Sequence, residues 1–304
     1  MVENYYTVEE VANLLKLSKY TVYEMVKRGE LSAVKVGRQV RISRDDINRM
    51  INKGKRQHSP DDFAKSVLPI PIMFIGSHDL LVESVIKYAN EKKNGLLIIP
   101  AFVGSMEGLL SLYYGRADIV GCHLFDEETG TYNIPFIKRL FPGETPVVVR
   151  FVSRNIGWIV PKGNPKRLAG WNDLLRNDLT FMNRQKGSGT RILLDFHLKK
   201  LGVDGSQIKG YEKEEMTHYS AASAVSRGEA DFALGTESAA QALGLDFVVL
   251  EKERYDLVMK KDFHASHQWK HLESLLLSDE IKERMSKLGG YEWIHIGEKV
   301  TEGL

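Results

Sequence analysis

The chain has 304 residues, 43% hydrophobic and 27% charged, which is apolar material for about two globular domains and excludes a disordered, collagen-like or disulfide-scaffold chain. No apolar run approaches the ~18 to 20 residues of a membrane-spanning helix; Leu96 to Val103 is typical and is broken by Pro100. With Cys122 as the single cysteine and no cationic or apolar signal segment in Met1 to Thr7, the expectation is a soluble cytoplasmic protein in a reducing compartment.

The net charge of +2 is unevenly placed: residues 1–60 carry 12 Lys and Arg against 7 Asp and Glu, and residues 61–304 carry 30 against 33. Between positions 35 and 56, Lys35, Arg38, Arg41, Arg44, Arg49, Lys53, Lys55 and Arg56 face only Asp45 and Asp46. A compact basic module ahead of a near-neutral body points to a nucleic-acid reader carried by something else.

Thr7 with Glu10 forms a capping box, and Val8, Val11, Leu14 and Leu15 recur at helical spacing, so a first helix is predicted to about Leu15. Ser18 caps a second helix with an apolar stripe of Val22, Met25 and Val26, ended by Gly29. This is a helix-turn-helix pattern. Tyr20, Thr21, Tyr23, Lys27 and Arg28 fall off the stripe and can face a major groove, with Ser18 at the helix entrance. Ala33 to Ile42 then alternates around Gly37 as a small hairpin bearing Lys35, Arg38 and Arg41, and Ser43 caps a last helix whose inner side is Ile47, Met50 and Ile51. The stretches Tyr6 to Ala12, Leu17-Ser18, Thr21 to Tyr23, Gly29 to Leu31, Val36 to Arg38 and Arg41 to Ser43 resemble the winged helix-turn-helix of excisionase-like and MerR-like DNA-binding proteins. Such modules also bind proteins, but the basic hairpin favours DNA. Residues 1–52 are assigned to this domain and 53–71 to a linker, with a short helical piece near Phe63 to Val67.

From residue 72 onward, buried-strand runs alternate with amphipathic helices, an α/β pattern with mainly parallel sheets. The region echoes itself. Gly115 to Asp118 leads into Ile119 to Gly121, as Gly228 to Asp231 leads into Phe232 to Gly235, and eleven residues before each glycine lie Gly104-Ser105 and Thr217-His218, both expected at helix starts. Ile72 to Ile75 running into Gly76-Ser77-His78-Asp79 parallels Leu179 to Met182 running into Asn183 to Arg191. Two lobes built alike would face each other across a cleft where helix starts converge, an anion site. Gly187-Ser188-Gly189-Thr190-Arg191 lacks the P-loop pattern, so nucleotide hydrolysis has little support, yet Arg184, Lys186 and Arg191 bracket its glycines.

Gly76 to Asp79, Gly104 to Leu109, Gly121 to Leu124, Asp126 with Thr129-Gly130 and Tyr132-Asn133, Gly163 to Pro165, Asn183 to Gln185 with Gly187 to Arg191, and Tyr255 to Leu257 together resemble the periplasmic-binding-protein-like domain of molybdate-responsive regulators. The resemblance to type 2 solute-binding proteins implies two lobes over residues 72–304, with hinges near 150–160 and 250–258. It also implies a cleft ligand, molybdate or tungstate, held by Ser77, His78, Gly104, Ser105, His123, Arg184, Gly187, Ser188, Gly189, Thr190, Arg191 and His218. The two arginines depart from the neutral donors usual for molybdate and leave room for a molybdenum-cofactor species or another phosphorylated metabolite.

No enzyme is expected. Ser77, His78 and Asp79 are neighbours on one turn and cannot form a relay among themselves, and Cys122 reads as a buried thiol. His264, His267 and His271 share one helical face, better taken as solvated than as metal ligands. The expectation is a homodimeric, ligand-responsive transcription regulator without cofactor or metal; the alternative is an enzyme or metallocofactor carrier of molybdopterin metabolism using the same cleft.

Overall fold

The computed structural model describes residues 5–15, 17–37, 39–56 (main chain only from 51), 70–92 and 95–300. The chain divides into two compact units, Met1–Leu68 and Pro69–Leu304.

In the first unit, strand β1 (Tyr5–Thr7) precedes helices α1 (Val8–Leu15) and α2 (Lys19–Lys27), a hairpin of β2 (Val34–Val36) and β3 (Gln39–Ser43), and helix α3 (Arg44–Arg56). The Glu10 carboxylate accepts from the Thr7 N–H at 2.7 Å while the Glu10 N–H donates to the Thr7 hydroxyl at 3.2 Å, the predicted capping box. Ser18 accepts from the Thr21 N–H at 3.0 Å and opens α2. Val11, Val22, Leu31, Ile42 and Ile47 form the core. Two features differ from expectation. Tyr5–Thr7 adds a third strand against β3, because the edge of β3 has backbone groups to satisfy. Helix α3 continues through Lys53 and Gly54 to Arg56, past the assigned domain end at 52, since one glycine costs a helix only about 1 kcal/mol. Arg38 and the helical piece expected at 63–67 lie outside the described residues.

The second unit is a nine-stranded mixed sheet flanked by helices. Its first lobe contains β4 (Ile72–Gly76), α4 (Leu80–Glu91), β5 (Ile98–Phe102), α5 (Ser105–Tyr113) and β6 (Ile119–Cys122). A small hairpin of β7 (Phe125–Asp126) and β8 (Thr131–Tyr132) and helix α6 (Ile134–Leu140) follow. Strand β9 (Val147–Val160) crosses to the second lobe, which holds β10 (Phe181–Arg184), α7 (Gly189–Leu201), β11 (Glu214–Glu215), α8 (His218–Ser226), β12 (Phe232–Thr236) and α9 (Glu237–Ala242). Strand β13 (Asp246–Met259) returns, and α10 (Lys261–Ala265), α11 (His267–Leu276), α12 (Asp279–Leu288) and β14 (Tyr291–Glu292) complete the chain.

β4 pairs in parallel with β5 and β6, and β10 with β11 and β12. The two crossing strands pair antiparallel along their whole length and join both lobes into one sheet. Each lobe has its own apolar core, with Trp158, Phe181 and Phe232 central in the second. In the first, α11 and α12 pack Trp269, Leu272, Ile281 and Met285 back onto α4. The histidine face does not form. The chain breaks at Ser266, which caps α11, so His264 belongs to a separate turn against Trp269 and only His267 and His271 share a helix.

Candidate functional site

Four strands end where a helix begins. Asp79 caps α4, its Oδ1 accepting from the Leu81 and Val82 N–H groups at 2.8 and 3.2 Å. Gly104 precedes α5 with φ +100°, a conformation open to glycine; Ser188 caps α7 through the Arg191 N–H at 3.2 Å, and Thr217 caps α8 through the Ser220 N–H at 2.9 Å. The helix starts foreseen at Gly104-Ser105 and Thr217-His218 are therefore present, at the carboxyl ends of β5 and β11. Helix starts leave backbone N–H groups without intrahelical partners and carry partial positive charge. The two lobes touch here: the Met106 N–H donates to the Gly187 carbonyl at 3.4 Å, and a Cβ on Gly189 would lie 2.3 Å from the His123 carbonyl oxygen, so that position excludes a side chain. Beside these contacts Lys199 pairs with Glu127 at 2.7 Å and Phe196 meets Phe125 at 5.0 Å.

The floor of the cleft comes from the crossing strands. Glu253 pairs in register with Arg154 and Tyr255 with Val152, so these residues share one sheet face. Arg154 binds Asp79 and Glu253, all three about 1% exposed. Burial opposes the charge on Arg154, but Glu253 and Asp79 outweigh it and raise its pKa. Burial likewise opposes Glu253, yet Arg154 and His123 hold its carboxyl down to about 2. The Tyr291 hydroxyl donates to Asp79 at 2.9 Å, and the Tyr255 hydroxyl to the Ser77 carbonyl at 2.6 Å.

His123 links this ion cluster to the first helix start. Its Nδ1 lies 3.0 Å from the Glu253 carboxylate and its Nε2 2.8 Å from Ser77 Oγ. The carboxylate assigns the proton to Nδ1, so Nε2 accepts from the serine. The Ser105 hydroxyl accepts from the His123 N–H at 3.2 Å. Burial lowers the pKa of His123, of His78 and, furthest, of His218, to which Arg184 and Arg154 add. All three are neutral near pH 7. His218 Nε2 is 3.5 Å from an Arg154 Nη2, while its Nδ1, without a partner, packs near Gly235; His78 reaches Glu83 at 3.3 Å and rests edge-on against Phe102.

Arg184 is the exception to this pairing. It is 1% exposed, donates to the Glu215 and Met216 carbonyls at 3.0 and 2.9 Å, and leaves Nη1 without a partner. No carboxylate lies within ion-pair distance of it among the described residues. Burial and the neighbouring Arg154 push its pKa down to about 9, the signature of a buried cation lacking a counter-ion. Thr190 Oγ1 at the start of α7 is also buried and unpartnered.

Several expected ligand contacts are spent internally. Arg191 does not present its guanidinium as expected: it binds Asp195 at 3.1 Å, Glu214 at 2.9 Å and the Arg184 carbonyl at 3.3 Å, and stacks 4.0 Å above Tyr211. Acidic neighbours on its own helix and on β11 draw it away. Ser77, Ser105 and Ser188 are occupied by His123, the His123 N–H and the α7 cap. Arg154, Glu253 and Asp79 were missed as site residues. Glu253 sits in a charged run, and which charge of Lys252, Glu253 and Arg254 turns inward depends on strand register; Arg154, flanked by Ser153 and Asn155, carries no local sign of its buried partners; Asp79 had a visible signal, as a cap directly after Ser77-His78.

His123, His218 and Glu253 offer ligand atoms within 4.8 Å of one another. The set fits a divalent cation poorly: Glu253 is already bound by Arg154 and His123, and two buried guanidiniums face the position. The local charge favours an anion.

In the helix-turn-helix unit, Tyr20 and Tyr23 are 75% and 53% exposed, Lys27 and Arg28 stand in solvent, and Thr21 is half-buried on the hydroxyl of Ser18 at 2.7 Å. Lys35 is exposed on β2, and Arg41 on β3 holds Gln39 at 2.6 Å. The predicted reading residues of α2 thus share an open face; Arg38 lies outside the described residues.

Residues 86–277 match the model of the PBP superfamily domain, and residues 5–55 that of a helix-turn-helix domain. The uncharacterized protein YvgK of Bacillus subtilis (strain 168) is 38% identical over 307 residues, covering 98% of each chain. Among solved structures, the sulfate-binding protein SubI of Mycobacterium tuberculosis H37Rv aligns with TM-score 0.54 at 15% identity, over 74% of this chain and 86% of its own. The H2O2-bound C206S variant of Corynebacterium glutamicum OxyR aligns with TM-score 0.52 at 12% identity, over 93% and 89%. Among the described residues no helix is long and apolar enough to cross a membrane. The chain belongs to the PBP superfamily, and it joins that ligand-binding fold to a helix-turn-helix DNA-binding domain.

Proposed function

We propose that the protein is a cytoplasmic transcription regulator that reads duplex DNA with its helix-turn-helix unit and senses a small oxyanion between the lobes of its larger unit. One observation carries the ligand class: the Arg184 guanidinium, fully buried with Nη1 unpartnered and no carboxylate beside it, at a convergence of helix starts. An oxyanion there supplies the missing counter-charge and accepts from Arg184 and from main-chain N–H groups at the start of α7. Molybdate and tungstate are the first candidates, by the resemblance in sequence, and a molybdenum-cofactor-related anion is the larger alternative. The fused DNA reader supports a cytoplasmic location, and the small footprint of one winged module supports a homodimer on paired half-sites. Calorimetry with molybdate, tungstate, sulfate and phosphate on the parent and on Arg184→Gln tests the site: the variant loses the heat of the preferred anion, and equal binding by both overturns the reading. Light scattering that finds a monomer both free and on DNA removes the dimer.

The hydrogen-bonded chain Ser77–His123–Glu253 favours a second reading, turnover of an ester in the cleft, because it has the connectivity of an activated serine. Arg154 weighs against it, since neutralising Glu253 reduces the support for an imidazolium. A hydrolysis assay with carboxylic and phosphate esters decides, and activity lost in Ser77→Ala would establish the enzyme.

A further inference from the structure

The face of the crossing strands opposite the cleft carries a different group of charges. Phe151 has no partner in the ladder between Val152–Tyr255 and Arg150–Asp256, a bulge that reverses which way the preceding residues of β9 point. As a result Arg154 and Glu253 face the cleft, whereas Arg150, Asp256, Ser153 and Arg254 lie together on the other side. A cavity of about 400 Å³ opens there, lined by Arg150, Arg254, Lys138 at the end of α6, Tyr132, and the apolar Pro135 and Val300.

None of these three cations has an ion pair within 4 Å or a side-chain hydrogen bond among the described residues. Their neighbour Arg139 shows the contrast, held by Asp126 at 2.7 Å and Glu128 at 2.8 Å. Tyr132 also lines the cavity, but its hydroxyl is closed off from solvent and unpartnered. Two acids lie on this face outside the cavity lining: Asp256 beneath, with one oxygen taken by the Asn133 amide at 2.8 Å, and Glu292, in register with Ser153 and paired with Lys252; the lining itself stays net positive. Two half-buried arginines on adjacent strands and a lysine suit the oxygens of a phosphoryl group, and the proline and valine suit an apolar body attached to it.

We propose that this cavity binds a phosphorylated small organic molecule, at a site separate from the cleft anion. Calorimetry of the full chain with adenosine monophosphate and inorganic phosphate tests it, on the parent and on Arg184→Gln, Arg254→Gln and Lys138→Ala. Adenosine monophosphate is expected to bind Arg184→Gln as tightly as the parent. Its affinity should fall about tenfold or more in Arg254→Gln, the range for one lost charge-assisted hydrogen bond, and less in Lys138→Ala, an exposed substitution that leaves the fold intact. Inorganic phosphate should bind this cavity more weakly, lacking the apolar body. Loss of binding in Arg184→Gln with none in Arg254→Gln or Lys138→Ala overturns the proposal by assigning the nucleotide to the cleft, and so does absence of saturable binding by the parent.

Discussion

In the helix-turn-helix unit the cations stand in water, the side chains of Lys27 and Arg28 being 79% and 59% exposed, whereas in the cleft Arg154 and Arg184 are 2% and 1% exposed. Exposed charges are individually cheap and can be spent on a partner, because solvent screens them and their ion pairs contribute little. Buried charges must be satisfied inside the protein or by what it binds. Arg154 is satisfied from within and Arg184 is not, so one guanidinium builds the cleft and the other remains for a ligand.

The sharpest way to break this contrast is Arg154→Met. It leaves Asp79 and Glu253 buried without their cation and is expected to cost about 3 to 5 kcal/mol in urea unfolding, the range for one half of a buried pair. Acid comes next. Glu253 has a folded pKa near 2, below its unfolded value, so its contribution, about 3 kcal/mol by linkage, is present above pH ~4.5 and is lost as pH falls toward 2. His78, His123 and His218 are also depressed, so their share is present above pH ~6.5 and begins to disappear as pH drops below it. In an Asp256→Asn background, which removes a buried carboxyl that burial pushes up to about 6 and that works in the opposite sense, stability measured from pH 8 to 4 should therefore decline below pH ~6.5, and a flat profile would contradict the neutral, buried histidines.

Arg184→Gln separates binding from folding. It should cost the anion on the order of 1.5 to 3 kcal/mol while leaving the unliganded melting temperature unchanged or raised, since an uncompensated buried charge is gone. Arg191→Ala should do the reverse, lowering the melting temperature through the lost Asp195 and Glu214 contacts while leaving the anion affinity near the parent value. The smallest effects belong to the DNA unit. Arg41→Gln should flatten the salt dependence of DNA binding by about 0.9 in slope if its one cation meets a phosphate. Lys19→Ala, which opens the exposed pair with Glu9, should shift stability by less than about 1 kcal/mol.

Local chemistry made much of this legible. Thr7 with Glu10, Ser18, and the Gly29 and Gly37 turns act within a few residues, so caps and hairpin follow from nearest neighbours. The repeated Gly-x-Ala-Asp and the helix starts at Gly104 and Thr217 are local too. The site itself was legible only in part: the sequence points to the helix starts that form the cleft's walls, and to Arg184, but not to its floor. Arg191 illustrates the limit, since nothing near it in sequence except Asp195 indicates that Glu214 and Tyr211 will claim its guanidinium.

By itself the sequence determined that a basic winged helix-turn-helix precedes a two-lobed α/β body whose helix starts converge, because capping, turn chemistry and apolar period act over a few residues. Only the tertiary structure decided that Arg154 and Glu253 turn toward the cleft while Arg150 and Arg254 turn away. That choice depends on pairing between strands about a hundred residues apart and on one extra residue at Phe151, and a register change of one residue moves a side chain to the opposite face.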